Sequence, residues 1–164
     1  MQATGYGRYV TSMEQLLPQG AWLVSELEAI KDFDRSSPGA EGFVQALDKD
    51  TGEELWSVVV QSGDLEAPAW LHRFKVKIAS AVAPELPPVM PGTPFRPVYF
   101  DGLLLIPYLD DKNCTGPEPG KRHRCRGRVA YSVRAGGMRA PKGAGKPASA
   151  AASPMAVGSA SGGA

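Results

Sequence analysis

A chain of 164 residues is about right for one domain plus tails, and an apolar share of 43 % allows one modest core. No apolar run is long enough to span a bilayer, and the opening "MQATGYGRYVTSMEQ" shows no basic segment followed by an apolar stretch, so neither a membrane span nor a secretory signal is expected. The net charge of +1 hides a split: all 17 acidic residues lie at or before Glu118 with nine Lys or Arg, leaving −8 there, while the last 46 residues carry nine Lys or Arg and no acid, +9.

Residues 1–17 read as a loosely ordered lead-in with one helical turn. Thr11 and Glu14 have capping-box spacing before Leu16 and Leu17, and Pro18 stops the turn. From there the chain reads as β. "AWLVSELEAI" (21–30) alternates, "GFVQAL" (42–47) and "ELWSVVV" (54–60) pair as a hairpin, and "RFKVKIA" (73–79) alternates most cleanly. "FRPVYF" (95–100), "GLLLIPYL" (102–109) and "GRVAYSVRA" (127–135) complete six or seven short strands separated by Pro/Gly turns. Such spacing predicts a mostly-β domain over 18–136, a small closed or nearly closed antiparallel barrel or a small sandwich; an oligonucleotide-binding-like barrel is the preferred form. From 137 to 164 the composition is dominated by Gly, Ala, Ser and Pro with scattered cations, and a disordered tail is expected.

The acidic stretch "QALDKDTGEELWSVVV" (45–60) invites a metal reading. A calcium loop wants Gly at its sixth position and a carboxylate at its twelfth. Here Gly52 is fifth and Val59 twelfth, counted from Asp48, so the stretch reads as a hairpin turn. Zinc is disfavoured as well: Cys114, His123 and Cys125 make three ligands, and His72 is the only other histidine. Two cysteines in one polar segment fit a reducing compartment better than a disulfide scaffold, although they could pair if oxidised, and a cytoplasmic location is expected. No nucleophile elbow or dinucleotide fingerprint is present. "GAGKP" (143–147) has the wrong spacing for a phosphate loop and Pro147 where a hydroxyl residue belongs. Neither an enzyme nor a cofactor is expected, and Asp110 with Asp111 reads as a solvated strand end.

Two basic patches carry the functional expectation. Arg73, Lys75 and Lys77 fall on one face of a strand whose other face holds Phe74, Val76 and Ile78. "KRHRCRGR" supplies Lys121, Arg122, Arg124, Arg126 and Arg128 and enters a strand on which Arg134 points outward, while Val129, Tyr131 and Val133 point inward. If the two strands are neighbours, their cations suffice to hold a phosphate backbone. Aromatic residues could stack bases beside them. Trp56, Phe74 and Tyr131 read as core, which leaves Trp70 as the exposed candidate. DNA, single- or double-stranded, is the expected partner, with replication or transcription proteins second and no membrane. The competing readings are an edge strand protected by lysines and a solvated tail that docks on its own acidic body.

The series "DFD" (32–34), "VQALDKDTGEELWSVVV" (44–60), "KVKIA" (75–79), "PGTPFRPVYFDGLLLIPY" (91–108) and "RVAYSVRAGGMRAP" (128–141) resembles the replication, integration and excision activators of actinomycete integrative and conjugative plasmids. The likeness runs in order over about Pro18 to Pro141. It implies a small non-enzymatic regulator that switches on the element's replication initiator, integrase and excisionase functions. No binding motif carries over residue by residue, and "DDKNCTGPEPGKRHRCRG" (110–127) is longer and more basic than its equivalent, so the resemblance does not extend to the KRHRCRGR patch. The region "PGTPFRPVYFDGLLLIPY" is also similar in texture to the oligonucleotide-binding barrels of phage helix-destabilising proteins.

Overall fold

Alternating apolar residues, many of them β-branched, build most of the strands in the computed structural model, which describes residues 2–4, 7–36, 43–112, 114, 120 and 127–142. Strands β1 (Gln2–Thr4) and β2 (Arg8–Thr11) precede a single helical turn, α1 (Met13–Leu16). Strands β3 (Ala21–Leu23), β4 (Glu28–Ala29) and β5 (Leu55–Ser62) lead to a second turn, α2 (Ala69–His72). Strands β6 (Arg73–Ala79), β7 (Arg96–Asp101), β8 (Leu103–Asp110), β9 (Arg128–Ala135) and β10 (Gly137–Arg139) follow. All ten join one sheet in the order β1-β2-β8-β9-β6-β5-β3-β7-β10, with β4 added on β5. The protein is mostly β, and the sheet curls into an open half-barrel.

Among the described residues every strand pairing is antiparallel except one. β6 and β9 run parallel, with Val76–Ile78 against Val133–Ala135. The departure from an all-antiparallel sheet has a simple cause: β6 and β9 are joined by no tight turn, and the chain between them passes through β7 and β8 before returning in the same direction.

The concave face is the core. Val58 and Val60 of β5, Val76 and Ile78 of β6, Leu103 and Leu105 of β8, and Val133 of β9 alternate inward and are nearly inaccessible. Val98 and Phe100 of β7 close the far side, Met13, Leu16 and Leu17 cover one end, and Leu71 of α2 joins them. Each fully buried aliphatic or aromatic side chain contributes about 1.5–3 kcal/mol relative to an exposed one.

The curl depends on a bend. β7 and β8 are one stretch of chain interrupted only at Gly102, whose φ of 62° lies in the left-handed region. Directly across, Gly136 interrupts β9 and β10 and its amide donates to the Asp101 carbonyl at 2.9 Å. The two-stranded ribbon therefore turns a corner: β8 pairs β9 on one side of it and β7 pairs β10 on the other.

Both ends of the domain extend further than composition predicts. The lead-in is not loose over Arg8–Thr11, which pairs with β8 so that Tyr9 meets Leu105 and Thr11 meets Leu103. Four residues with two polar members give too short an alternation to read, yet Thr11 is buried. Because Thr11 ends the strand, the cap falls to Ser12, whose Oγ accepts from the Gln15 amide at 3.3 Å. Helix turn α1 is tied to β7 by Tyr99, whose hydroxyl donates to Glu14 Oε1 at 2.8 Å. At the other end Gly137–Arg139 forms β10, with Met138 against the core and Arg139 stacked 4.1 Å over the Tyr99 ring. The rest of the expected tail, 143–164, lies outside the described residues.

Two expected strands are shorter. The stretch 21–30 divides into β3 and β4, because Ser25 breaks the alternation and its Oγ accepts from the Val59 amide at 2.8 Å. Of 42–47, residues 43–47 contribute only bridges, Gln45 to Lys31 and Leu47 to Glu54, around the turn that holds Gly52 at φ 72°.

Replacing Gly102 by Val places a β-branched residue in the left-handed region at the corner. The expected cost is about 2 kcal/mol, read as a lowered urea midpoint with an unchanged m-value.

Candidate nucleic-acid interface

Alternation along β6 turns Arg73, Lys75 and Lys77 to the convex face, opposite Phe74, Val76 and Ile78. The parallel register sets Arg134 of β9 beside Lys77. On the other side of β9, β8 sets Ile106 beside Ser132, Tyr108 beside Ala130 and Asp110 beside Arg128. β6 and β9 are bonded only in their later halves. Toward their starts they separate, and an open cleft of about 980 Å³ lies there. Arg73, Lys75, Lys77, Arg128, Arg134 and Trp70 all line it. The four other predicted cations, Lys121, Arg122, Arg124 and Arg126, lie outside the described residues, as do His123 and Cys125.

The aromatic part differs from expectation. Tyr131 shares a face with Val133 and Ala135, as alternation requires, but it is 40 % exposed, and Val129 is 65 % exposed. The reason is that β9 outruns the β6 pairing, so its first residues project past the end of the core. Trp70, also 40 % exposed, stacks on Tyr131 with ring centroids 5.4 Å apart and planes tilted by 32°. Phe74 is partly buried against the core and still reaches the cleft wall. Trp56 is held by its indole N–H, which donates to the Ser80 carbonyl at 3.1 Å. Period-two reading finds the face of Tyr131 but not the point where the core ends. Ile106 and Tyr108 were legible only as strand residues.

Carboxylates answer some of the cations. Lys75 and Glu28 are 4.0 Å apart and mostly exposed, a pair worth about 0–1 kcal/mol. Arg128 donates to Asp110 Oδ2 at 3.3 Å through both Nε and Nη2. Asp110 is therefore not a solvated strand end: its side chain is 11 % exposed, and its Oδ1 is buried without a hydrogen-bond partner among the described residues. Arg134 pairs with the buried Asp48. Arg73 and Lys77 form no ion pair among the described residues. Burial pushes the Lys77 pKa below the ordinary lysine value, and the neighbouring charges of Arg134 and Lys75 push it the same way. The Arg134 Nε–H is buried and has no acceptor among the described residues.

The acidic stretch around Asp48 is a turn with a second task. Asp48 Oδ1 accepts from the amides of Asp50 and Thr51 at 2.8 and 3.1 Å, which shapes the turn locally. Its other oxygen reaches Arg134, and Asp50 pairs with Arg8 of β2 at 2.7 Å. The Arg8 hydrogen bond lowers the Asp50 pKa. The turn thus folds over the convex face and is fastened to both β2 and β9. Among the described residues no cluster of three or more His, Cys, Asp or Glu is arranged to hold a metal ion, and no helix is long and apolar enough to cross a membrane.

The chain has no significant match to any protein-family model, curated protein or solved structure.

Two outcomes are expected. Asp48→Ala should cost about 3 kcal/mol in chemical denaturation, because it leaves a half-buried arginine without its partner and dissolves the turn. Asp48→Asn, which keeps the turn bonds, should cost less. For Lys77 the sign follows from its lowered pKa: the charged form bears a desolvation cost in the fold that is fully present at neutral pH and is relieved as pH rises toward the ordinary lysine range. Lys77→Met should accordingly raise the urea midpoint at pH 7, and its advantage over the parent should shrink as the pH is raised.

Proposed function

We propose that this protein is a non-enzymatic, cytoplasmic nucleic-acid-binding regulator whose cleft between β6, β8 and β9 holds a phosphate backbone. One observation carries the reading: five cations from two strands distant in sequence, Arg73, Lys75, Lys77, Arg128 and Arg134, line one open cleft together with an exposed aromatic pair. The likeness of residues 18–141 to activators of integrative and conjugative plasmids supports a role in switching on replication, integration and excision.

Strand order supports an oligonucleotide-binding type of barrel. β3, β5 and β6 form a meander, β7 and β8 act as one bent strand that reaches both β3 and β9, and β9 lies parallel to β6. This order is compatible with a five-stranded, partly open Greek-key barrel to which β1, β2, β4 and β10 would be additions. Fold alone assigns no ligand, so the cleft and its charges bear the functional weight.

A second reading is a protein-docking module. It draws on the ion pairs of Arg128, Arg134 and Arg139 with Asp110, Asp48 and Asp101, which satisfy part of the basic end internally, and on β1, a terminal strand bonded on one side by β2.

Anisotropy titrations of the purified protein with labelled DNA over a salt series test the proposal. Binding should weaken as salt rises, and Arg73→Ala should flatten the log–log slope by about one unit, the loss expected for one phosphate contact. Absence of binding to single and double strands at low salt removes it. A partner captured after nuclease treatment would then favour docking.

A further inference from the structure

Resting on the nucleic-acid reading, we infer that the cleft takes single-stranded rather than duplex DNA, with a phosphate seated at Lys77 and Arg134 and a base stacked on the Trp70–Tyr131 pair.

The seat has the features an anion would complete. Lys77 and Arg134 are register neighbours, and Lys77 lacks a carboxylate among the described residues. Two partly buried like charges side by side repel, and the Arg134 Nε–H lies buried without an acceptor there. A phosphate in the cleft would screen the two cations from one another, and a small shift of the partly exposed Arg134 guanidinium would let it accept from that N–H. Asp48 occupies the opposite edge of the same guanidinium, so Arg134 has one side held by the protein and one donor left over. An anion at this point would also return Lys77 toward its ordinary titration range, since the causes that lower it are burial and those neighbouring charges.

Strandedness follows from the other end of the cleft. Trp70 and Tyr131 expose aromatic faces beside the cations, and a base can stack on them only if its own face is free. In a duplex each base face is covered by the next pair, and only phosphates and groove edges are presented. The lining of the cleft is apolar as well as basic, with Ile106, Tyr108 and Val129 among its residues. A duplex would bring two rails of phosphate against that surface and against Asp110, whose buried Oδ1 accepts from no described residue. A single strand offers phosphates to one zone and bases to the other.

The test compares a labelled pyrimidine strand with the same strand annealed to its complement, using the full chain at low salt and the same titration over a salt series. The single strand is expected to bind at least about tenfold more tightly. Trp70→Ala and Tyr131→Ala should each weaken it by roughly tenfold, within the range for loss of one base–aromatic stack, and leave the salt slope unchanged. Trp70→Phe, which keeps a stacking face, should recover most of the affinity, while Lys77→Ala should flatten the slope by about one unit. Circular dichroism of each variant confirms that the fold is kept. Equal affinity for duplex and single strand, or full affinity in both folded aromatic variants, overturns this inference and leaves the nucleic-acid reading standing. Binding to neither strand form overturns both.

Discussion

The arrangement depends on a parallel contact three residues long. Val76–Ile78 of β6 against Val133–Ala135 of β9 is where, among the described residues, the backbone of the first-half meander pairs with the ribbon of the second on this side of the sheet. Its inward residues, Val76, Ile78 and Val133, are among the most deeply buried in the molecule. Its outward residues are Lys77 and Arg134. The same hydrogen-bonded patch thus anchors the core and forces two cations together, and its shortness is what lets the strands part and leave the cleft. A longer pairing would fill that space with backbone.

Charge placement around the contact is uneven in a way that separates structural from available cations. Arg134 pairs with Asp48 and Arg128 with Asp110, which orients both guanidiniums. Arg139 is held by Asp101 and the Tyr99 ring at the far side of the bend. Arg73 stands exposed at the rim, and Lys77 sits half-buried at a cost to its charged state. Burial and the adjacent charges of Arg134 and Lys75 both disfavour the charged form of Lys77. In the proposed role, Asp48 and Asp110 orient Arg134 and Arg128, and the donor that Arg134 keeps, together with Lys77, meets the phosphate.

The Asp48 turn links local chemistry to tertiary order. Its own amides are satisfied by one carboxylate oxygen, a purely local Asx arrangement, and the other oxygen crosses to β9. Asp50 does the same toward β2 through Arg8. These two ion pairs fasten the excursion between β4 and β5 to the convex face. Loss of the pair would therefore loosen a loop and expose a charge together, which is a larger effect than either alone.

Period-two alternation decides which residues of a strand share a face, and that much was legible: the limits of β6 and the outward set Arg73, Lys75 and Lys77 needed only local sequence. So was the turn at Gly52, since Asp, Thr and Gly shape it through their own backbone bonds. The two glycines at the bend, 102 and 136, are visible as residues, but that they face each other across a corner is a matter of register. Neighbour relations between segments far apart are non-local. Nothing in "RFKVKIA" or "GRVAYSVRA" says that they lie side by side, or that they run parallel. The end of the core along β9 is non-local too, because it is set by where β6 stops pairing, and so Tyr131 turned out to be a cleft residue stacked on Trp70. The sequence by itself determined the β character, the faces of the strands and the polar turns, all consequences of adjacent residues. Only the tertiary structure decided which faces meet, which cations stand together and which aromatic rings stay open to solvent, because those depend on which strands pair and how far the pairing runs.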